Sequence, residues 1–166
     1  MNAGVITAGT WDTTTTADWR TVLDVNLIGV WNTDVAAIPH LIRRGGGSIV
    51  NISSAVGIKG SPLTTPYTAS KHGVVGLSLA LANELAAQSI RVNTVHPTRV
   101  ATGMAPTGLH ELLVGDPGIG AIYQNAMPVQ VVDAVDISNA VLYLVTDESR
   151  YVTGTQLKVD AGVTIR

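Results

Sequence analysis

Tyr67 and Lys71 stand four residues apart in a segment with helical signals, so their side chains share one helix face, one turn apart. An ammonium about 4 Å from a phenol, at an effective dielectric of about 20, favours the phenolate by about 4 kcal/mol, or roughly 3 pKa units before desolvation opposes it. A phenol shifted in this way can exchange a proton with an alcohol or carbonyl oxygen near neutral pH. Ser53 and Ser54 follow the β-rich run SIVNI, with Ser54 thirteen positions before Tyr67. Strand C-termini are where ligands bind in open α/β sheets. Asn26 interrupts the apolar helical run DVNLIGV, where a side-chain amide needs a partner of its own. Taken singly, each feature has a plainer reading: a half-buried Tyr beside a solvated Lys, and an amide that distorts its helix.

Other candidates carry less. Gly45, Gly46 and Gly47 end a helix and open a strand, the reverse of a phosphate-cradling loop, and GDPGIG at 115–120 has no strand before it and reads as a lid turn. His40, His72, His96 and His110 lack metal-ligand spacing and read as surface or core residues, so no metal site is expected. Asp133 and Asp136 suit a helix N-terminus, and Trp11, Trp19 and Trp31 read as packing residues.

The elements that must position these groups follow from periodicity. A helix after Asp18 carries Val22, Val25, Ile28, Trp31, Val35, Ile38 and Leu41 on an apolar stripe until the glycines stop it. Residues 48–52 read as a strand buried on both faces. A helix from Thr65, as N-cap, through Ala86 carries Val74, Leu77, Leu81 and Leu85, with Pro66 at its first position. Residues 91–95 form a second strand, and an irregular stretch rich in Gly and Pro runs to about Val132, long enough to be a substrate lid. A helix over 133–145 and a strand over 155–159 close the chain. Strand, helix, strand, helix, strand predicts the α/β class: a parallel sheet with right-handed crossovers, covered by helices on both sides. No repeat or linker divides the 166 residues, which read as one domain with a lid at about 102–132.

Composition narrows the function. Ten basic against twelve acidic residues leave no basic stripe for nucleic acid. Zero cysteine excludes disulfide scaffolds and thiolate metal sites, and 46% hydrophobic against 13% charged residues supports a folded core. No apolar run reaches the roughly 18 residues of a membrane span and no signal-peptide pattern is present, so a cytoplasmic location is expected.

With these motifs in order, the chain resembles the short-chain dehydrogenase/reductase family from end to end. Asn2-Ala3-Gly4 resembles its NAG motif, Asn26 its helix asparagine, Ser54 its serine and Tyr67 to Lys71 its YxxxK element. RVNTVHPT at 91–98 is similar to the family's RVNxVxPG segment, and YVTG at 151–154 and VDAG at 159–162 to its closing strand. VHPT with Thr102 and Met104, DISNAV and DESRYVTG resembles the mycofactocin-associated, carveol dehydrogenase-like members. The resemblance implies oxidation of secondary alcohols or reduction of ketones, with NAD(H) in preference to NADP(H), the nicotinamide being held so tightly that an external carrier recycles it.

By that resemblance Tyr67 is the general acid/base, Lys71 lowers its pKa and binds the nicotinamide ribose, Ser54 orients the substrate oxygen, and Asn26 holds a water linking Lys71 to solvent. Pro97, Thr98, Val100 and Thr102 line the nicotinamide, with Asn2, Ala3 and Gly4 towards the adenosine side. Thr98 and Arg99 depart from the family pattern, which has glycine after the proline. The family's glycine-rich turn and its ribose selector precede the NAG motif, so the chain reads as the C-terminal half of a Rossmann-type fold without its first βαβ units. The strand at 48–52 then presents an edge, which predicts aggregation or dependence on a partner. A piece of a longer reductase is the favoured reading, ahead of a half completed in trans or a non-catalytic remnant. Homo-oligomers, dimer or tetramer, are implied, and so is an alternative role as an inactive module pairing with a full-length subunit.

Overall fold

The computed structural model describes residues 3–104, 106 and 108–166. Helix α1 (Thr16–Leu23) starts at Thr15, whose hydroxyl accepts the Asp18 N–H at 3.2 Å while the Asp18 carboxylate accepts the Thr15 N–H at 2.9 Å. This reciprocal box puts Asp18 inside the first turn, where the sequence reading had the helix begin after it. A π-helical turn over Asp24–Ile28 joins α1 to α2 (Gly29–Arg44).

That turn overturns the expected apolar stripe. The Gly29 N–H reaches back five residues to the Asp24 carbonyl, and the extra residue rotates everything after it. The inward side runs Val22, Asn26, Val30 and Asp34, whereas Ile28, Trp31 and Val35 turn outward at 47, 43 and 42% exposure. A 3.6-residue period cannot anticipate such a step. Gly45, at φ 88°, ends α2 in the left-handed conformation that favours glycine.

Strands β1 (Gly47–Ile52), β2 (Ile90–Pro97) and β3 (Gln156–Val159) form a parallel sheet in the order β1-β2-β3, with Ser48 opposite Arg91 and Val95 opposite Leu157. Side-chain alternation fixes its two faces. Ile49 and Val92 pack with Leu81, Ala82 and Leu85 of α3 (Thr65–Leu85), against which Ile38 and Leu41 of α2 also lie. On the other face Ser48 and Arg91 both donate to the Leu144 carbonyl of α6 (Ala134–Val145), each at 2.8 Å. Helices on both sides of a parallel sheet match the expected α/β class.

Three boundaries differ from the sequence reading. The N-cap of α3 is Thr64, which moves Pro66 to the second helical position. In β1 only Ile49 and Asn51 are buried, because the face beneath α6 is half-covered. The stretch after β2 is not irregular throughout: Asp116 accepts the Gly118 and Ile119 N–H groups and opens α5 (Pro117–Ile122), directly after α4 (Leu109–Gly115). The glycines of GDPGIG are therefore helical rather than a turn. Asp133 and Asp136 do sit at the start of α6, with the Asp133 N–H on the Asp136 carboxylate at 3.1 Å. Trp11 is 92% exposed and packs nothing, contrary to expectation.

Candidate active site

The C-terminal ends of β1 and β2, the first turns of α3 and helices α4, α5 and α6 enclose a cleft of about 1270 Å³. Ser54, Tyr67 and Lys71, which form its polar floor, line it together with Gly4, Pro97, Thr98, Val100 and Thr102. Of the other sequence candidates, Ala3 is exposed and Asn2 lies outside the described residues.

Asn26 does not face the cleft. It is fully buried, and its carboxamide accepts the Val5 N–H and donates to the Val5 carbonyl, both at 2.8 Å, and to Ser70 Oγ at 3.1 Å. Both amide hydrogens are thus used, so the side chain clamps the segment after Gly4 rather than presenting a donor to water. Ser70 Oγ in turn donates to the Tyr67 carbonyl at 2.7 Å, carrying the clamp to the turn that bears the phenol. Placement of Asn26 within the π turn is what brings its amide to Val5, and such turns recur at functional sites.

Lys71 is only 5% exposed, and its Nζ donates to the Ile52 carbonyl at 2.9 Å. Burial disfavours its charge and lowers its pKa to about 8. The ammonium lies 5.5 Å from the centre of the Tyr67 ring. Burial raises the Tyr67 pKa, and the Ser54 hydroxyl opposes the rise. The lowered phenol pKa expected from spacing alone is therefore not found in the chain by itself. Desolvation outweighs the Ser54 hydrogen bond, and the Lys71 ammonium is engaged with the Ile52 carbonyl.

The sequence reading gives several residues around the cleft no specific role, though it places Ser53 at the strand end and His96 among surface or core residues. Ser53 Oγ donates to the Lys71 carbonyl at 3.0 Å, and its N–H to the Val95 carbonyl at 2.9 Å, which fastens β1 to α3 and β2. His96, fully buried, lies between the Ser54 carbonyl and the Thr94 hydroxyl. Helix α5 is fastened by Lys59, whose Nζ donates to the carbonyls of Ile122 at 3.1 Å and Val163 at 2.7 Å. Tyr123 adds a hydroxyl that donates to the Pro62 carbonyl and accepts from Ser61 Oγ. Serine in a Ser-Ser pair and lysine in a loop are too common to signal such roles. The histidine before Pro97 was the only legible hint.

Thr98, the departure from the family's glycine, donates its hydroxyl to Asn125 Oδ1 at 2.8 Å. Among the described residues no helix is long and apolar enough to cross a membrane, and no group of three or more ligating side chains could hold a metal ion.

A phenol, a lysine and a serine thus line one cleft at the C-terminal ends of a parallel sheet. The chain belongs to the short-chain dehydrogenase/reductase family: the family model described as Enoyl-(Acyl carrier protein) reductase matches residues 1–164. It is 44% identical over 158 residues to (-)-trans-carveol dehydrogenase of Rhodococcus erythropolis, covering 89% of this chain and 57% of that protein. A short chain dehydrogenase from Mycobacterium paratuberculosis, solved bound to NAD, superimposes with a TM-score of 0.95 at 44% identity over 99% of this chain and 63% of that one. Carveol dehydrogenase from Mycobacterium avium, solved in complex with NAD, gives 0.89 at 44% identity over 99% and 64%. The chain thus spans about three fifths of the length of the relatives it matches.

Proposed function

We propose that this chain carries the catalytic end of an oxidoreductase that interconverts a secondary alcohol and a ketone with a nicotinamide cofactor, NAD(H) in preference to NADP(H). The observation that carries the reading is the convergence of Ser54, Tyr67 and Lys71 on one cleft at the sheet's C-terminal edge. Both NAD-bound solved relatives at 44% identity support the cofactor. The residues fit its nicotinamide end: Ser54, Tyr67 and Lys71 set polar groups in the same cleft as the apolar Pro97 and Val100. Lys71 would hold the ribose, Pro97, Thr98, Val100 and Thr102 the ring, and Asn2, Ala3 and Gly4 the adenosine side.

When bound, the cofactor would accept a hydride from the alcohol carbon or give one to the carbonyl carbon. Tyr67 takes the alcohol proton on its phenolate oxygen in one direction and returns it in the other. Ser54 Oγ donates to the substrate oxygen and fixes its distance from Tyr67. Lys71, charged below about pH 8, favours the phenolate once that oxygen is ionised. Asn26 acts through Val5 and Ser70 on the two ends of the cleft, and a solvent-linked water beside Lys71 belongs to the same proposal.

The cytoplasm, recycling by an external carrier of the mycofactocin type and assembly as a homodimer or tetramer complete the reading. Ile28 of the π turn and Trp31 and Val35 of α2, all outward, support pairing with a second copy. The same stripe is the observation that favours a second reading, an inactive member that joins full-length subunits. Turnover separates the two. In the natively expressed protein, NAD(H)-linked absorbance at 340 nm with a panel of cyclic secondary alcohols and ketones is expected to report turnover. Tyr67→Phe is expected to lower it at least about 100-fold with an unchanged circular dichroism spectrum. A folded, nucleotide-loaded protein whose turnover is indifferent to Tyr67→Phe contradicts the catalytic reading.

A further inference from the structure

His96 is the penultimate residue of β2 and fully buried. Its Nδ1 lies 2.8 Å from the Ser54 main-chain carbonyl and its Nε2 lies 2.7 Å from Thr94 Oγ1. A carbonyl oxygen only accepts, so Nδ1 carries the proton; in the neutral ring Nε2 then accepts from the Thr94 hydroxyl. Burial lowers the ring's pKa, and Lys158 and Lys71 push it the same way against the Ser54 carbonyl and Asp160, so the neutral form prevails near pH 7. Both nitrogens are satisfied in one tautomer and one ring orientation.

The carbonyl that His96 holds also accepts the Gly57 N–H at 2.9 Å. Two donors meeting one oxygen fix the peptide plane after Ser54, and with it the direction of the Ser54 side chain, which is held in extended backbone geometry (φ −169°, ψ 162°) and accepts the Val56 N–H at 3.3 Å. Without Nδ1–H the carbonyl would retain one partner and Ser54 would regain rotational freedom about its backbone.

We propose that His96 is a positioning residue: through its Nδ1–H bond to the Ser54 carbonyl it aims the Ser54 hydroxyl at the oxygen shared by Tyr67 and the substrate. This rests on the oxidoreductase reading for its consequence, but the link from His96 through Ser54 to Tyr67 is measurable without turnover, because Ser54 and Tyr67 line the same cleft and a serine hydroxyl turned to the phenol oxygen lowers its pKa.

The test uses the full chain and two amide replacements. In His96→Asn the amide nitrogen falls where Nδ1 stands; in His96→Gln it falls where Nε2 stands. Tyr67 ionisation, followed by NMR on ring-labelled tyrosine and assigned with Tyr67→Phe, is expected to match wild type in His96→Asn and to move to higher pH in His96→Gln. Turnover is expected to follow: kcat within about threefold of wild type for Asn, at least about tenfold lower for Gln, with KM within about threefold in both. In the wild-type chain, ¹⁵N imidazole shifts are expected to show the proton on Nδ1. A proton on Nε2 overturns the proposal even where a variant fails to fold, and so does Tyr67 ionisation that is the same in all three proteins. Wild type without turnover, but with the Asn and Gln difference in Tyr67 intact, would sink the oxidoreductase reading and leave the link standing. Active protein with flat Tyr67 ionisation would do the opposite.

Discussion

The floor of the cleft and its lid are built by different means. Beneath the floor, Asn26, Ser53, Ser70, Thr94 and His96 are all buried, and each bonds a backbone group or another buried side chain. In the lid, no described side chain of α4 or α5 is buried, and the helices are fastened to the body through Lys59 and Tyr123. Proton transfer needs groups held to a fraction of an ångström, which buried polar networks supply because every alternative arrangement leaves an unsatisfied group. Substrate recognition tolerates, and lid opening requires, weaker attachment. A change of the same chemical size should therefore act on rate and stability in the floor, and on substrate affinity in the lid.

The largest departure is expected from Lys71→Met: kcat lower by at least about 100-fold, because the phenolate loses its cation. The same variant sharpens the comparison through pH. Folded Lys71 has a pKa of about 8 against its ordinary 10.5, so between those values the unfolded chain binds more protons and wild-type stability rises with pH, by up to about 3 kcal/mol. Urea midpoints at pH 7.5 and pH 10 should show this rise in wild type and its loss in Lys71→Met. Asn26→Ala comes next, with a loss of about 3 kcal/mol in urea unfolding, since the Val5 peptide and Ser70 lose their buried partner together. An unchanged midpoint would mean that the floor is not held as described.

Tyr123→Phe tests the lid. It removes the bonds to Ser61 and Pro62, and KM is expected to rise about three- to tenfold at constant kcat, with stability lower by about 1 kcal/mol at most. A fall in kcat of the size seen on the floor would erase the distinction between the two regions. The smallest effect belongs to Asp34→Asn. Burial raises the Asp34 pKa although Asn51 donates to it at 2.8 Å, so the folded chain binds the extra proton and stability falls as pH rises above the ordinary carboxylate range. Chemical unfolding at pH 4 and pH 7 should show that fall in wild type and a flatter profile in Asp34→Asn.

Residue order and spacing alone carried the α/β class, the two crossover helices, the glycine stop at Gly45 and the grouping of Ser54, Tyr67 and Lys71. These are local facts: a period of two or 3.6, a breaker, a pair one helical turn apart. Three matters were decided only in the tertiary structure. The π turn rotated α2, burying Asn26 and Asp34 and exposing Trp31, because a one-residue insertion in a hydrogen-bond ladder is stabilised by what it brings together: the Asn26 amide and the Val5 peptide. The Tyr67 phenol was pushed up rather than down, because a spacing of four fixes proximity but burial fixes the local dielectric. His96 met the Ser54 carbonyl from a strand 42 positions away, a contact that exists only once β1 and β2 lie in register. Sequence sets which groups are available and which neighbours they have along one element; desolvation and contacts between elements depend on the assembled sheet.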